Sequence, residues 1–167
     1  MPVNSLAWCV ARDPDAVHAL LVTCDAKAAA ETGTPAPDRR QSSTEFLVAA
    51  GVVHVVLVDD APVATVTVGP YPSFDADGLP PAETPWYMQR LAVLPDRQGS
   101  LLGVSAVRHA MATARAGGAT ALRAEANPDL PGPLALLLAV GFVRYSTDEH
   151  GPARRTFLQA SLVGSAP

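Results

Sequence analysis

The stretch from Trp86 to Val104, WYMQRLAVLPDRQGSLLGV, constrains the chain most, because the period of its apolar residues changes part-way through. Tyr87–Val93 is a β-prone run bounded by Pro85 and Pro95. A polar turn follows, Asp96-Arg97-Gln98-Gly99-Ser100, and the spacing then becomes helical. Val104, Val107, Met111 and Ala114 fall on one face of a 3.6-residue repeat. Gly117-Gly118 stops the helix, and Arg115 in its last turn suits the negative end of the dipole.

A strand, a glycine-containing turn and a helix start together make a place for an anion. The first-turn N–H groups of a helix have no partner inside it, and the positive end of the dipole stands behind them. Such a turn can cradle a phosphate or pyrophosphate without a basic side chain. An ordinary βα connection has the same features, so these residues alone leave both readings open.

The stretch resembles the GNAT superfamily of acyl-CoA-dependent N-acetyltransferases. That family carries a Leu-x-Val-x-Pro strand ending, then Gln/Arg-x-x-Gly-x-Gly/Ala opening a helix. Here the strand ends Leu91-Ala92-Val93-Leu94-Pro95 and the turn reads Gln98-Gly99-Ser100-Leu101-Leu102-Gly103. Gln98 and Gly103 match the ends of the motif, and Leu101 replaces its middle glycine. Leu122–Ala126 is similar to the family's next strand, and Leu134–Phe142, LALLLAVGF, to its short helix and Gly-Phe ending. The specific motifs lie within residues 86–145.

The rest of the chain is compatible with that resemblance. At 167 residues it is most simply one domain, 1–167, and a composition 49% hydrophobic and 17% charged is that of a globular protein. A net charge of −4 argues against a general electrostatic grip on nucleic acid. Lys27 is the single lysine; arginine carries the remaining positive charge. Cys9 and Cys24 are too few for a disulfide framework or a zinc site, and buried free thiols are expected. No metal site is expected. The longest apolar run, Leu134–Val140, falls short of the ~20 residues of a membrane helix, and no secretory signal is visible, so a soluble, cytoplasmic protein is expected.

In chain order, Ser5–Ala11 reads as a strand with Trp8 and Val10 on one face. Asp13-Pro14 opens a helix with an apolar stripe of Val17, Leu20, Leu21, Cys24 and Ala28, ended by Gly33. Ser42-x-x-Glu45 has the capping-box pattern and predicts a second, short helix running to Gly51. His54–Val58 and Val63–Val68 flank Asp59-Asp60-Ala61-Pro62 as a hairpin. A proline-rich loop from Gly69 to Pro85 precedes the central strand. Val143–Thr147 and Arg154–Ala160 form a closing pair around residues 148–151. The order is β-α-α-β-β-β-α-β-α-β-β, an α/β mixed sheet with a central parallel connection, which is also the GNAT-like order.

The resemblance implies attack of an amine on the thioester carbonyl of an acyl-CoA, acetyl-CoA by default. Such a reaction needs positioning, a route for the ammonium proton, and stabilisation of the oxyanion and thiolate. It implies that the backbone of Leu91, Ala92 and Val93 runs beside the pantetheine arm. The amides of Gln98, Gly99, Ser100, Leu101, Leu102, Gly103 and Val104 would hold the pyrophosphate, with Arg97 the nearest cation or simply a solvated turn residue. Leu101 fits this only with a negative φ and an inward side chain. In the ungapped register, Leu130 stands where the family often has Asn, and Leu137 where it often has a Tyr that can protonate the thiolate.

Acid and base groups must then come from elsewhere. Glu125 shares a strand face with Arg123 and Asn127, so it is a candidate base or half of a structural Glu125–Arg123 pair. Tyr87 is a candidate acid or a packing aromatic, and Gln89 on its face can orient a substrate. Asp75, with Asp77 and Glu83 in the long loop, suits a cationic acceptor or merely keeps the loop soluble. His150 lies in a turn where acceptors bind in the family; His54 reads as core and His109 as exposed. The readings are an N-acyltransferase for a small-molecule amine, or a GNAT-like domain that has lost transfer and binds CoA or a partner, or uses the cleft for other chemistry. The apolar helix Leu134–Val140 should be covered by a chain end or by a second copy in a homodimer.

Overall fold

The structure, a computed structural model, describes residues 6–99 and 101–164. Among these are seven strands and four α-helices: β1 (Trp8–Val10), α1 (Pro14–Thr32), α2 (Gln41–Ala49), β2 (Val53–Val58), β3 (Ala61–Gly69), β4 (Pro85–Val93), α3 (Leu102–Ala116), β5 (Ala121–Ala126), α4 (Pro133–Val140), β6 (Val143–Asp148) and β7 (Arg155–Ser161). The order is the one the sequence predicts. Of the expected first strand only Trp8–Val10 pairs, and Ser5 lies outside the described residues.

One sheet runs β1-β2-β3-β4-β5-β7-β6, antiparallel throughout except for β4 beside β5. The hairpin between β2 and β3 turns at Asp59 and Asp60, at φ 50° and 63°. Two successive left-handed residues match the twist of the flanking strands, and aspartate tolerates that region better than most side chains. Side-chain alternation then divides the helices between the faces. Val53 and Val55 pack with Val17 and Leu21 of α1 and Leu47 of α2. Val66, Val68 and Met88 pack with Ala106, Val107 and Ala110 of α3 and Leu137 of α4.

The helix termini follow from local chemistry in α1 and depart from it in α2. Asp13 Oδ1 accepts from the N–H groups of Asp15 (3.0 Å) and Ala16 (3.1 Å), and Gly33 closes α1 at φ 69°. The expected capping box does not form. Arg40 is the N-cap of α2 with no side-chain cap bond, because the helix already begins at Gln41 and Ser42 lies inside its first turn. The inner face of α3 is also shifted from the expected one. Leu102, Ala106, Val107, Ala110 and Ala114 are buried, while Val104 is turned toward Trp8. Alanines let α3 lie close against β3 and β4, which a stripe of larger residues would not.

Gly117 does more than stop α3. A Cβ there would lie 2.3 Å from Cη2 of Trp86, so the helix end can approach β4 only without a side chain. Helix α4 is better covered than expected: Leu137 is buried, and Leu134, Leu136 and Val140 pack on the main core. Leu138 alone of its leucines is exposed.

Candidate functional site

Strands β4 and β5 pair only at Pro85–Ala121, Trp86–Leu122 and Tyr87–Arg123. Beyond Tyr87 they part. β5 continues beside β7, and β4 continues beside β3 to Val93. On the β5 side, Met88–Val93 therefore has no strand partner among the described residues. A bulge sharpens the divergence: Thr67 opposes Gln89 and Thr65 opposes Ala92, leaving Arg90 and Leu91 across from Val66. Arg90 takes φ 54°, a left-handed conformation rare outside glycine.

The gap is a cavity of about 620 Å³. Its walls are β4 from Met88 to Val93, the second half of α1, the turn before α3, the end of β5 and α4. Leu91, Ala92, Val93, Arg97, Gln98, Gly99 and Gly103 line it, as do Gln89 and Glu125. Leu102 is instead buried under the turn, and Leu101 and Val104 face a separate depression beside Trp8. Ser100 lies outside the described residues.

Leu101 departs from expectation in both respects: its φ is 65° and its side chain is 75% exposed. The left-handed step is what turns the next residue, Leu102, into the core beside Val56, Val63 and Ala64, so the inward place is already filled. The first bond inside α3 runs from the Ser105 N–H to the Leu101 carbonyl (3.0 Å). The N–H groups of Leu102, Gly103 and Val104 thus precede the ladder, at the positive end of the helix.

Lys27 completes this corner. Its Nζ donates to Oε1 of Gln98 (2.5 Å) and pairs with Glu31 (3.5 Å), while Nε2 of Gln98 donates to the Val93 carbonyl (3.3 Å). The cavity lining carries Lys27, Arg39, Arg90 and Arg97 against Asp25, Glu31 and Glu125, a positive balance in a chain of net charge −4. Cys24 also lines it, donating to the Val93 carbonyl (3.4 Å); burial first, then Asp25, pushes its thiol up. Of the two thiols expected to be buried, Cys24 is half-buried and Cys9 exposed.

Glu125 pairs with Arg155 (3.6 Å), not with Arg123. Burial raises its carboxyl above the ordinary range and Arg155 opposes the rise. The expected Glu125–Arg123 pair fails because Arg123 is flanked in register by Tyr87 on β4 and Gln159 on β7. Its guanidinium donates to the Tyr87 hydroxyl (3.0 Å), to Gln159 Oε1 (2.9 Å) and to the Pro80 carbonyl (3.0 Å). Tyr87 is accordingly buried, packed on Phe74, and is not part of the cavity wall. Asp75 and His150 are exposed and do not line the cavity. Asp75 Oδ1 accepts from the Asp77 N–H, and the His150 N–H donates to Asp148 Oδ1. Leu130 and Leu137 both line it.

His109, expected on the outside of its helix, stacks on Trp8 at 5.4 Å and shares a 2.9 Å hydrogen bond with His54. Burial, then His109, lowers His54 to about 4, and burial lowers His109. Among the described residues no group of side chains could hold a metal ion, and no helix is long and apolar enough to cross a membrane.

The sequence profile of the acetyltransferase (GNAT) family matches residues 15–142. The chain belongs to the GNAT acetyltransferase family. Solved structures share its fold at low identity. A GNAT-family acetyltransferase from Streptococcus agalactiae is 15% identical, with a TM-score of 0.74 over 93% of this chain and 94% of that one. YncA from Salmonella typhimurium, solved with its cofactor acetyl-CoA, is 18% identical, with a TM-score of 0.68 over 98% of each chain. A chain of the NatC complex bound to Gag peptide and CoA is 11% identical, with a TM-score of 0.73 over 93% and 97%. No curated protein sequence matches at a significant level.

In this GNAT domain the strand ending and the turn could be read from sequence, but the cavity wall supplied by α1 could not. Cys24, Lys27, Ala28 and Glu31 continue the helical spacing of Val17, Leu20 and Leu21, so the stripe changes from apolar to mixed polar after Leu21. That change marks where α1 leaves the core and faces the cavity.

Proposed function

We propose that the protein transfers an acetyl or other short acyl group from acyl-CoA to the amine of a small molecule. The observation that carries this is the parting of β4 and β5 beside the start of α3. It leaves backbone groups of Met88–Val93 beside a cavity that is also lined by Gly103 at the start of α3 and by Gly99, Arg97 and Lys27. A pantetheine arm needs the first, and a pyrophosphate the second. The cavity volume and its positive lining suit such a ligand.

In the reaction the amine nitrogen attacks the thioester carbonyl carbon, the C–S bond breaks, and the CoA thiolate leaves. Backbone N–H groups near the bulge are the candidates for stabilising the carbonyl oxygen. Glu125, raised by burial, is the candidate base for the ammonium proton, directly or through water. Gln89 in the cavity wall is the candidate for orienting the acceptor. A second reading, a domain that binds CoA without transfer, draws on Leu130 and Leu137, which line the cavity at the positions of the family's frequent Asn and Tyr, so that Leu137 offers no proton to the thiolate. We place the protein in the cytoplasm, where its free thiols fit a reducing compartment.

Calorimetry with acetyl-CoA and CoA tests the site. Lys27→Glu reverses the charge at the phosphate corner and should weaken CoA at least about tenfold, about 1.4 kcal/mol. No binding by the wild type at millimolar ligand would end both readings. Binding without CoA release in the presence of any amine would select the second.

A further inference from the structure

Arg90 combines two costs, a backbone one that belongs to the bulge in β4 and a side-chain one that the bulge does not explain. It holds a left-handed backbone at φ 54°, and it places a half-buried side chain on the cavity wall with no carboxylate of its own among the described residues. Its Nη1 donates to Oγ1 of Thr44 (3.0 Å), a neutral hydroxyl on α2 that is itself buried. The carboxylate near enough to act on it, Asp25, is gripped by Arg39 through both Nε–Oδ2 and Nη2–Oδ1 (2.9 Å). Two guanidiniums therefore share one carboxylate, and all three residues line the cavity.

This excess charge is separate from the phosphate corner. Arg90 lies three residues before Val93 along β4, roughly 10 Å of strand, and its side chain reaches the face covered by α1 and α2. A planar fork with one nitrogen already held by Thr44 presents its remaining N–H groups in a fixed direction, the geometry that suits a carboxylate. We propose that Arg90, steadied by Thr44 and with Asp25 occupied by Arg39, receives a substrate carboxylate. The molecule acted on is then itself an acid, through either the amine acceptor or the acyl group. The inference rests on the acyl-transfer reading and narrows its substrate class.

The test compares amino acids with their own amides as acceptors from acetyl-CoA, and succinyl-CoA with acetyl-CoA on an uncharged amine, read as CoA thiol release. The charged member of one pair should have a kcat/KM at least about tenfold higher. Arg90→Gln should bring that ratio to within about twofold, and Arg90→Lys should recover part of it. The pair that responds identifies whether the carboxylate belongs to the acceptor or to the acyl group. Arg39→Gln, which frees Asp25 to pair with Arg90, should lower the same ratio, and it replaces Arg90→Gln should that variant fail to fold. Equal rates within both pairs, or a preference that survives these substitutions in folded protein, overturns the proposal. If no amine is acylated, the transfer reading fails separately. Calorimetry of N-acetyl amino acids, their amides and free succinate on the CoA-loaded protein then decides. A carboxylate preference lost in Arg90→Gln sustains the proposal, and equal or absent binding overturns it.

Discussion

Leu101 shows how a residue can keep a backbone while dropping the side chain that backbone favours. At φ 65° a non-glycine residue costs about 1–2 kcal/mol, and with the side chain 75% exposed little burial offsets it. Leu101→Gly removes that strain and loses about 0.5–1 kcal/mol to unfolded-chain entropy. The melting temperature should therefore rise by about 1–3 °C, with CoA affinity equal or better. A fall in melting temperature would show that the leucine packs usefully in solution. Glu125 is the residue whose titration should appear in turnover. Its carboxyl is raised by burial, so the rate should climb with pH through a limb above the ordinary glutamate range. Glu125→Gln should lower kcat about a hundredfold or more and remove that limb, with CoA affinity little changed. A folded variant with the same pH–rate profile would remove Glu125 from the chemistry. At this scale the sequence was informative for the turn and misleading for its neighbours. Gln98, Gly99 and Gly103 could be placed because the motif is local. Arg90 and Lys27 could not, because their roles depend on a bulge and on a helix distant in sequence.

Among the elements, those with a strong local period or cap were legible and those decided by packing were not. Asp13-Pro14 and Gly33 fixed α1 because a cap acts through the backbone of its own turn. The inner face of α3 is not legible from periodicity, which weights large residues, whereas the close approach to β3 and β4 is made by alanines. That shift carries His109 inward onto Trp8 and His54, joining β1, β2 and α3 through one small cluster. The cluster has a consequence for pH. His54 is lowered from 6.5 to about 4, so between those values the unfolded chain binds a proton that the folded chain does not. Stability from this source is complete above about pH 6.5 and is lost as pH falls toward 4. Thermal melts should show a decline of a few degrees across that window in the wild type, on the order expected for a domain of this size. His54→Gln should flatten it. A variant that declines as steeply as the wild type would assign the loss to other groups.

For the whole molecule, charge and surface point in different directions. A net charge of −4 disfavours close self-association in general, yet one end of the sheet is left apolar. The strand order ends at β6, whose Val143 and Tyr145 are exposed, and Leu138 of the preceding α4 is exposed too. The apolar helix is thus partly covered by its own core, which the sequence could not reveal because it depends on which leucines β5 and α3 receive. What remains is a smaller patch beside a strand edge that has no partner among the described residues. An edge strand can pair with its own copy across a two-fold axis, satisfying its outer N–H and C=O groups and burying both patches at once. We propose a homodimer through this edge. Arg144 on the same strand sets a limit, because pairing must leave its charge at the rim. Sedimentation velocity should show a dimer that Leu138→Glu or Val143→Glu shifts to monomer by placing like charges across the axis. A monomeric wild type at high micromolar concentration would rule the dimer out, and a dimer untouched by both substitutions would place the contact elsewhere.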